Sequence, residues 1–286
     1  MIYFCADDYG LCETASEHIR QCVEKGVLNK VSVFPNFDKV DLSKLSENKD
    51  LLLSLHLNLV EGKCMASKDE IKLITDEEGN FRHTFGGLFA LSLFRGKKLQ
   101  EAVYKEIKAQ VSYWMSILPE NATFGIDSHQ HTHMIPLLFD ALIRVLDEEG
   151  LKLRYIRIPS EPLSPFLKAP SLYFTYSPVN MVKQWLLKLL GAVNKKKAKK
   201  RDIPTACFFG ILFSGKMDEK RVMKILPAYK KLAEKKGTDT EVLFHPGYLT
   251  EGVPEKKNIV FKNFYLSEGR KTEFDSVIKL SERGVR

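Results

Sequence analysis

The sequence holds no run of about 18 uncharged apolar residues, so no bilayer-spanning helix is predicted. Its cysteines (Cys5, Cys12, Cys22, Cys64 and Cys207) are odd in number and form no Cys-x-x-Cys pair. That excludes a zinc ribbon and a disulfide framework and points to a reducing compartment. The first residues carry no basic segment, and their apolar run stops at Asp7 and Asp8. Neither a signal peptide nor an anchor is expected there, and the expected location is cytoplasmic. Internal repeats are lacking too. With 44% hydrophobic and 28% charged residues, the composition excludes wholesale disorder. The 286 residues allow two domains of ordinary size or one large barrel. A net charge of +8 and a pI near 9.1 raise nucleic acid as a partner, and where the charge sits decides that question.

What is present is an alternation of short apolar runs with longer amphipathic ones. Residues 2–6, 31–34, 51–59, 155–158, 206–213 and 241–244 read as buried strands, and residues 123–133 as extended. Residues 15–24, 99–118, 136–149, 220–236 and 273–280 read as helices. The clearest is 99–118, with Val103, Ile107, Val111, Trp114 and Leu118 at steps of three and four. Strands alternating with helices over nearly the whole length predict an α/β protein built on one barrel-like, mostly parallel sheet. Chemistry in such folds collects at the carboxyl ends of the strands.

Polar residues stand where the apolar runs stop. The first run ends in Asp7-Asp8-Tyr9-Gly10, and the third contains His56. The extended stretch carries Asp127-Ser128-His129-Gln130-His131-Thr132-His133. Arg157-Ile158-Pro159 and His245-Pro246-Gly247 close two later runs. Taken singly, paired aspartates are turn formers or helix caps as often as chemistry, and a lone histidine in an apolar run is more often a hydrogen-bonded core residue. The cluster at 127–133 is stronger. On a strand, its three alternate histidines and Asp127 share one face; on a helix, His129 and His133 pair instead. One carboxylate from the first run, with His56 and His129, supplies the three ligands of a divalent ion with open positions. The second aspartate is then free as a general base, and His245 is placed to give a proton to a leaving group. Arg157 is expected to keep Asp7 ionised through an ion pair.

The Asp7–Gly10, Leu55–Gly62 and Asp127–His133 segments resemble the carbohydrate deacetylases of the YdjC family, which include the chitooligosaccharide deacetylases. Arg157-Ile158-Pro159, with Glu161 beyond it, and His245-Pro246-Gly247 fall where that family has similar elements, and the likeness runs to about residue 250. The resemblance implies a distorted (β/α) barrel in one domain over 1–286. It implies a hydrolase that removes N-acetyl groups from small acetylated oligosaccharides with one divalent ion, Mg2+ or Zn2+. Carried over by position, Asp8, His56 and His129 match the metal ligands, Asp7 the base and His245 the acid. Tyr9, Asp127, His131 and His133 remain as residues supporting the ligands or the substrate, with His131 and His133 open as ligands themselves. Tyr9 replaces the family's common phenylalanine.

Residues 162–202 match no element of the family and form a variable basic helical insertion. Its apolar-rich part, with Trp185, precedes Lys195, Lys196, Lys197, Lys199, Lys200 and Arg201. Those six charges leave a net +2 elsewhere, so nucleic acid is not expected as a partner. A crossover helix with a solvated basic end is the leading reading of the segment; a membrane-surface helix and a flap over the substrate cleft are the others. A homodimer is left open. The rival functions are a metal phosphoesterase using His131 and His133 as extra ligands, and a non-enzymatic membrane-surface or nucleic-acid-binding protein with a structural metal site.

Overall fold

The computed structural model describes residues 1–37, 40–45, 50–120, 122–250, 252 and 259–285. The elements run β1 (Ile2–Tyr9), α1 (Glu13–Lys25), β2 (Lys30–Val33), β3 (Leu52–Leu57), α2 (Phe85–Phe94), α3 (Gly96–Ile117), β4 (Gly125–Ser128), α4 (Pro136–Glu148), β5 (Tyr155–Ile156), α5 (Pro178–Lys199), β6 (Ala206–Phe209), α6 (Glu219–Lys236), β7 (Asp239–Phe244), α7 (Lys262–Tyr265) and α8 (Glu268–Glu282). All strands are parallel, in the order β5-β4-β3-β2-β1-β7-β6. The sheet curls until its edges nearly meet. At that seam the Ile156 N–H, on one edge, donates to the Pro204 carbonyl just before the other edge, at 3.0 Å. The architecture is thus a distorted single-domain (β/α) barrel, the barrel-like parallel sheet expected from the alternation in the form that the resemblance implies. No described helix is long and apolar enough to cross a membrane.

The differences from the sequence reading have local causes. β1 extends past its apolar run to include both aspartates, and its register with β2 slips between Ala6 and Tyr9. This bulge re-aims the two carboxylates, and Asp8 itself sits at φ 73. The stretch 123–133 is strand only to Ser128; Gln130 and His131 then take φ 52 and 58, and a 3-10 turn covers His129–Met134. The three histidines therefore share neither a strand face nor a helix face. The strand expected over 206–213 stops at Phe209, because Gly210 turns at φ +146 against Leu243. The Gly210, Ile211 and Leu212 N–H groups then donate to the Glu161 carboxylate, at 2.7, 3.1 and 2.8 Å. Glu161 is a capping group, and burial pushes its pKa up to about 7 against those three bonds. Helix α2, absent from the sequence reading, is apolar on all sides and so shows no helical periodicity.

Candidate active site

Asp7, Asp8, His56 and His129 meet at the carboxyl ends of β1, β3 and β4, all buried. Strand pairing sets this up, since β3 and β4 align with His56 opposite Asp127. Asp8 Oδ1 lies 3.4 Å from His56 Nε2 and 3.2 Å from His129 Nδ1. Neither Asp8 Oδ1 nor His56 Nε2 has a hydrogen-bond partner. Buried polar atoms are rarely left so, and two orphans converging on one point mark a place built for a ligand. Two imidazole nitrogens and one carboxylate oxygen form a donor set suited to a divalent ion. The groups behind these atoms are paired. Asp8 Oδ2 accepts from Arg270, His56 Nδ1 faces Asp127 Oδ1 at 2.6 Å, and His129 Nε2 faces Glu61 Oε2 at 2.9 Å. Carboxylates behind ligating histidines fix tautomer and orientation.

The electrostatics follow from this shell. Burial disfavours the charge on Asp8, but Arg270, then the two histidines, hold its carboxyl well below the usual range. Burial likewise opposes charge on His56, yet Asp7, Asp127 and Asp8 carry its pKa up to about 10. His129 is raised against burial by Asp8 and Glu61. Each rise is thus the imprint of the carboxylates that surround the two rings.

Inside the barrel lies a second cluster. Arg157 donates to both oxygens of Asp7, Nη1 to Oδ2 at 2.7 Å and Nη2 to Oδ1 at 2.9 Å. Its Nε reaches Glu241 at 2.9 Å. Lys30 donates to Glu241 at 2.8 Å and to Asp127 at 3.3 Å, and Ser32 donates to Asp127 at 2.7 Å. Burial works to raise the Asp7 pKa, but Arg157 and His56 bring it below the ordinary carboxylate value.

The remaining expected residues lie outside this group of ligand atoms, with His245 next to Asp7 across the β1–β7 pairing. His245 is 14% exposed at the end of β7; its backbone N–H donates to Glu273, which also lies 3.3 Å from its Nδ1. The His133 ring is held on both sides, Nδ1 by Ser128 Oγ at 2.5 Å and Nε2 by the Arg157 carbonyl at 2.8 Å. His131 packs edge-on against Phe208, its Nδ1 unpartnered. Neither joins a group of ligand atoms among the described residues. The Tyr9 hydroxyl turns to Arg20 on α1.

The sequence reading gave no role to Glu61, Lys30, Glu241, Arg270 or Glu273. Lys30 and Glu241 do leave a signal, as charged residues abutting or entering apolar strand runs. Arg270 and Glu273 look like ordinary surface charges of a C-terminal helix, although both are buried.

Known proteins resemble this chain over part or most of its length. A mouse carbohydrate deacetylase is 26% identical over 250 residues, 85% of this chain and 76% of that protein. A chitooligosaccharide deacetylase from Yersinia enterocolitica is 23% identical over 169 residues, 58% of this chain and 63% of that protein. The matches span from 49% to 76% of the length of the first few curated relatives. A solved structure from Enterococcus faecalis V583, described as a candidate cellobiose-phosphate cleavage protein, shares the fold. Its TM-score is 0.65 at 18% identity, covering 99% of this chain and 95% of that one. The family described as YdjC-like protein matches residues 1–281, and the chain belongs to it.

Proposed function

We propose that the protein is a metal-dependent carbohydrate N-deacetylase, releasing acetate from N-acetylated amino sugars such as chitooligosaccharides. The carrying observation is the convergence of Asp8 Oδ1, His56 Nε2 and His129 Nδ1, two of them orphaned and all buried at the strand ends. The names of the relatives supply the substrate class.

Asp8, His56 and His129 would hold one divalent ion, Zn2+ or Mg2+. When bound, such an ion polarises the acetyl carbonyl and lowers the pKa of water. Asp7, kept ionised by Arg157, takes a proton from the attacking water. The water oxygen adds to the carbonyl carbon, and the C–N bond breaks. His245 gives the departing amine its proton from one ring nitrogen while Glu273 orients the ring at the other. The products are acetate and a free amino sugar. Arg157 and Lys30 already neutralise the inner carboxylates, which among the described residues leaves Asp8, His56 and His129 as the group suited to a cation. This favours deacetylation over two-metal phosphoester chemistry. Five free thiols support a cytoplasmic setting.

The test is acetate release from diacetylchitobiose, measured with the metal content before and after chelation. We expect release to stop on chelation and to return with added metal. Undiminished release from metal-free protein, or phosphate release from a generic ester without acetate, overturns the reading.

A further inference from the structure

Helix α5 carries a feature that the site does not use. Val182, Trp185, Leu189 and Val193 recur at steps of three and four and are all exposed, Trp185 by 62%. The same face continues through Lys196 and Lys200, also exposed. The turn leading into the helix adds a fully exposed Phe174. The opposite face is well anchored. Gln184 donates to the Glu161 carbonyl at 2.7 Å and Asn194 to the Met134 carbonyl at 2.8 Å. Gly191 is needed where the helix meets Ser160, since a Cβ there would lie 2.8 Å from the Ser160 Cβ. The outward ridge is therefore not a face in search of the core.

Charge decides what covers the ridge. Between Glu161 and Asp202 the sequence has nine Lys and Arg residues and no Asp or Glu, which exceeds the net +8 of the whole chain. Lys197 and Arg201 pair with Asp140 and Asp147 on α4, at 2.5 and 2.8 Å. Lys188, Lys196 and Lys200 have no ion-pair partner among the described residues. A second copy meeting this face with its own would set lysines against lysines, since the stretch supplies no carboxylate. Nucleic acid would satisfy the lysines and leave the Val, Leu and Trp ridge in water. A surface with anionic headgroups over an apolar interior satisfies both.

We propose that α5 docks the protein on anionic lipid bilayers, with Val182, Trp185, Leu189 and Val193 entering the acyl boundary and Lys196 and Lys200 meeting headgroups. Docking sets the first turns of α5 beside the lipid. Asn180 ties those turns to the chain beyond β6, at the Leu212 and Ser214 carbonyls.

The two tryptophans make the test direct, because Trp114 is buried in the core and Trp185 is not. Full-length, metal-loaded protein is mixed with vesicles of phosphatidylcholine, alone or with phosphatidylglycerol. Expected are co-sedimentation with the anionic vesicles only, a blue shift of the Trp185 emission, and weakening by salt. A Lys196→Glu/Lys200→Glu variant should bind at least about thirtyfold more weakly, with the unfolding midpoint unchanged. Three results overturn the proposal: no sedimentation with either vesicle, equal sedimentation with both, or a lipid-independent dimer that shields Trp185. Tighter retention of single-stranded RNA than of anionic vesicles assigns the face to nucleic acid instead.

Discussion

Two buried polar clusters lie back to back in the barrel, built from the same kinds of residue, and they differ in saturation. In the inner one, Lys30, Asp127, Arg157 and Glu241 answer one another's charges through bonds of 2.7–3.3 Å with Ser32. In the outer one, Asp8 Oδ1 and His56 Nε2 point at each other and at His129 without a hydrogen bond. Burial and residue type do not separate the two clusters; unmet hydrogen-bonding capacity converging on one point does. Asp127 joins the two, with one oxygen on His56 and the other on Ser32 and Lys30.

The sharpest way to break this contrast is to exchange the consequences of mutating each side. His56→Ala removes an orphaned ligand atom. Acetate release should fall by about four orders of magnitude, and metal per folded chain should fall with it, as read by elemental analysis. Normal metal content and turnover would end the site assignment. Lys30→Met strikes the closed cluster and leaves buried carboxylates under-neutralised. Stability should drop by about 3–5 kcal/mol in denaturant unfolding, while the folded fraction keeps its metal stoichiometry. Adding Glu241→Gln should recover part of that loss, because the coupled charges leave together.

The same contrast explains what the sequence revealed. Asp7, Asp8, His56 and His129 stood out because ionisable groups interrupting apolar runs are costly to bury and need a reason. Of their partners, Arg157 and Asp127 stood out with them, and Glu61 and Arg270 did not. Glu61 reads as one charge in a loop, yet it receives the Val260 and Phe261 N–H groups and the Tyr265 hydroxyl from a distant segment. Arg270 reads as a helix surface residue, yet it reaches Asp8. Such pairings depend on tertiary closure, which no local pattern encodes. The histidine run misled for a backbone reason. Alternate spacing imitates a strand, but the positive φ at Gln130 and His131 sends His131 to Phe208 and His133 under Arg157. The apolar runs gave the barrel because each strand is buried on both faces; α2 escaped for want of a polar side.

His133 sharpens the comparison through pH. Its Nε2 donates to the Arg157 carbonyl and its Nδ1 accepts from the Ser128 hydroxyl, an arrangement a neutral imidazole satisfies. Burial lowers its pKa to about 4 from an ordinary value near 6.5. The unfolded chain therefore binds the proton first as pH falls, and stability is lost between about 6.5 and 4. That window corresponds to about 3 kcal/mol. His133→Gln should lower overall stability yet flatten the slope of unfolding free energy against pH by about one proton. An unchanged slope would show that His133 is charged in the fold and belongs with the open cluster.

Glu61 offers the finest distinction, because it acts on the open site from outside. Its Oε2 accepts from Tyr265 at 2.8 Å and faces His129 Nε2 at 2.9 Å. A proton held on Nε2 leaves the Nδ1 lone pair toward Asp8 and the ligand position. Glu61→Gln preserves volume, and its amide oxygen can still accept the Val260 and Phe261 N–H groups, so the unfolding midpoint should barely move. What changes is the hold on the His129 tautomer. Metal affinity should weaken by about 10–100-fold, read as a shift in the metal concentration giving half-maximal acetate release. At saturating metal the turnover number should return to near the parent value, as expected for a positioning residue rather than a reacting one. A turnover number that stays low in excess metal would place Glu61 in the chemistry itself, and an unshifted titration would remove His129 from the ligand set.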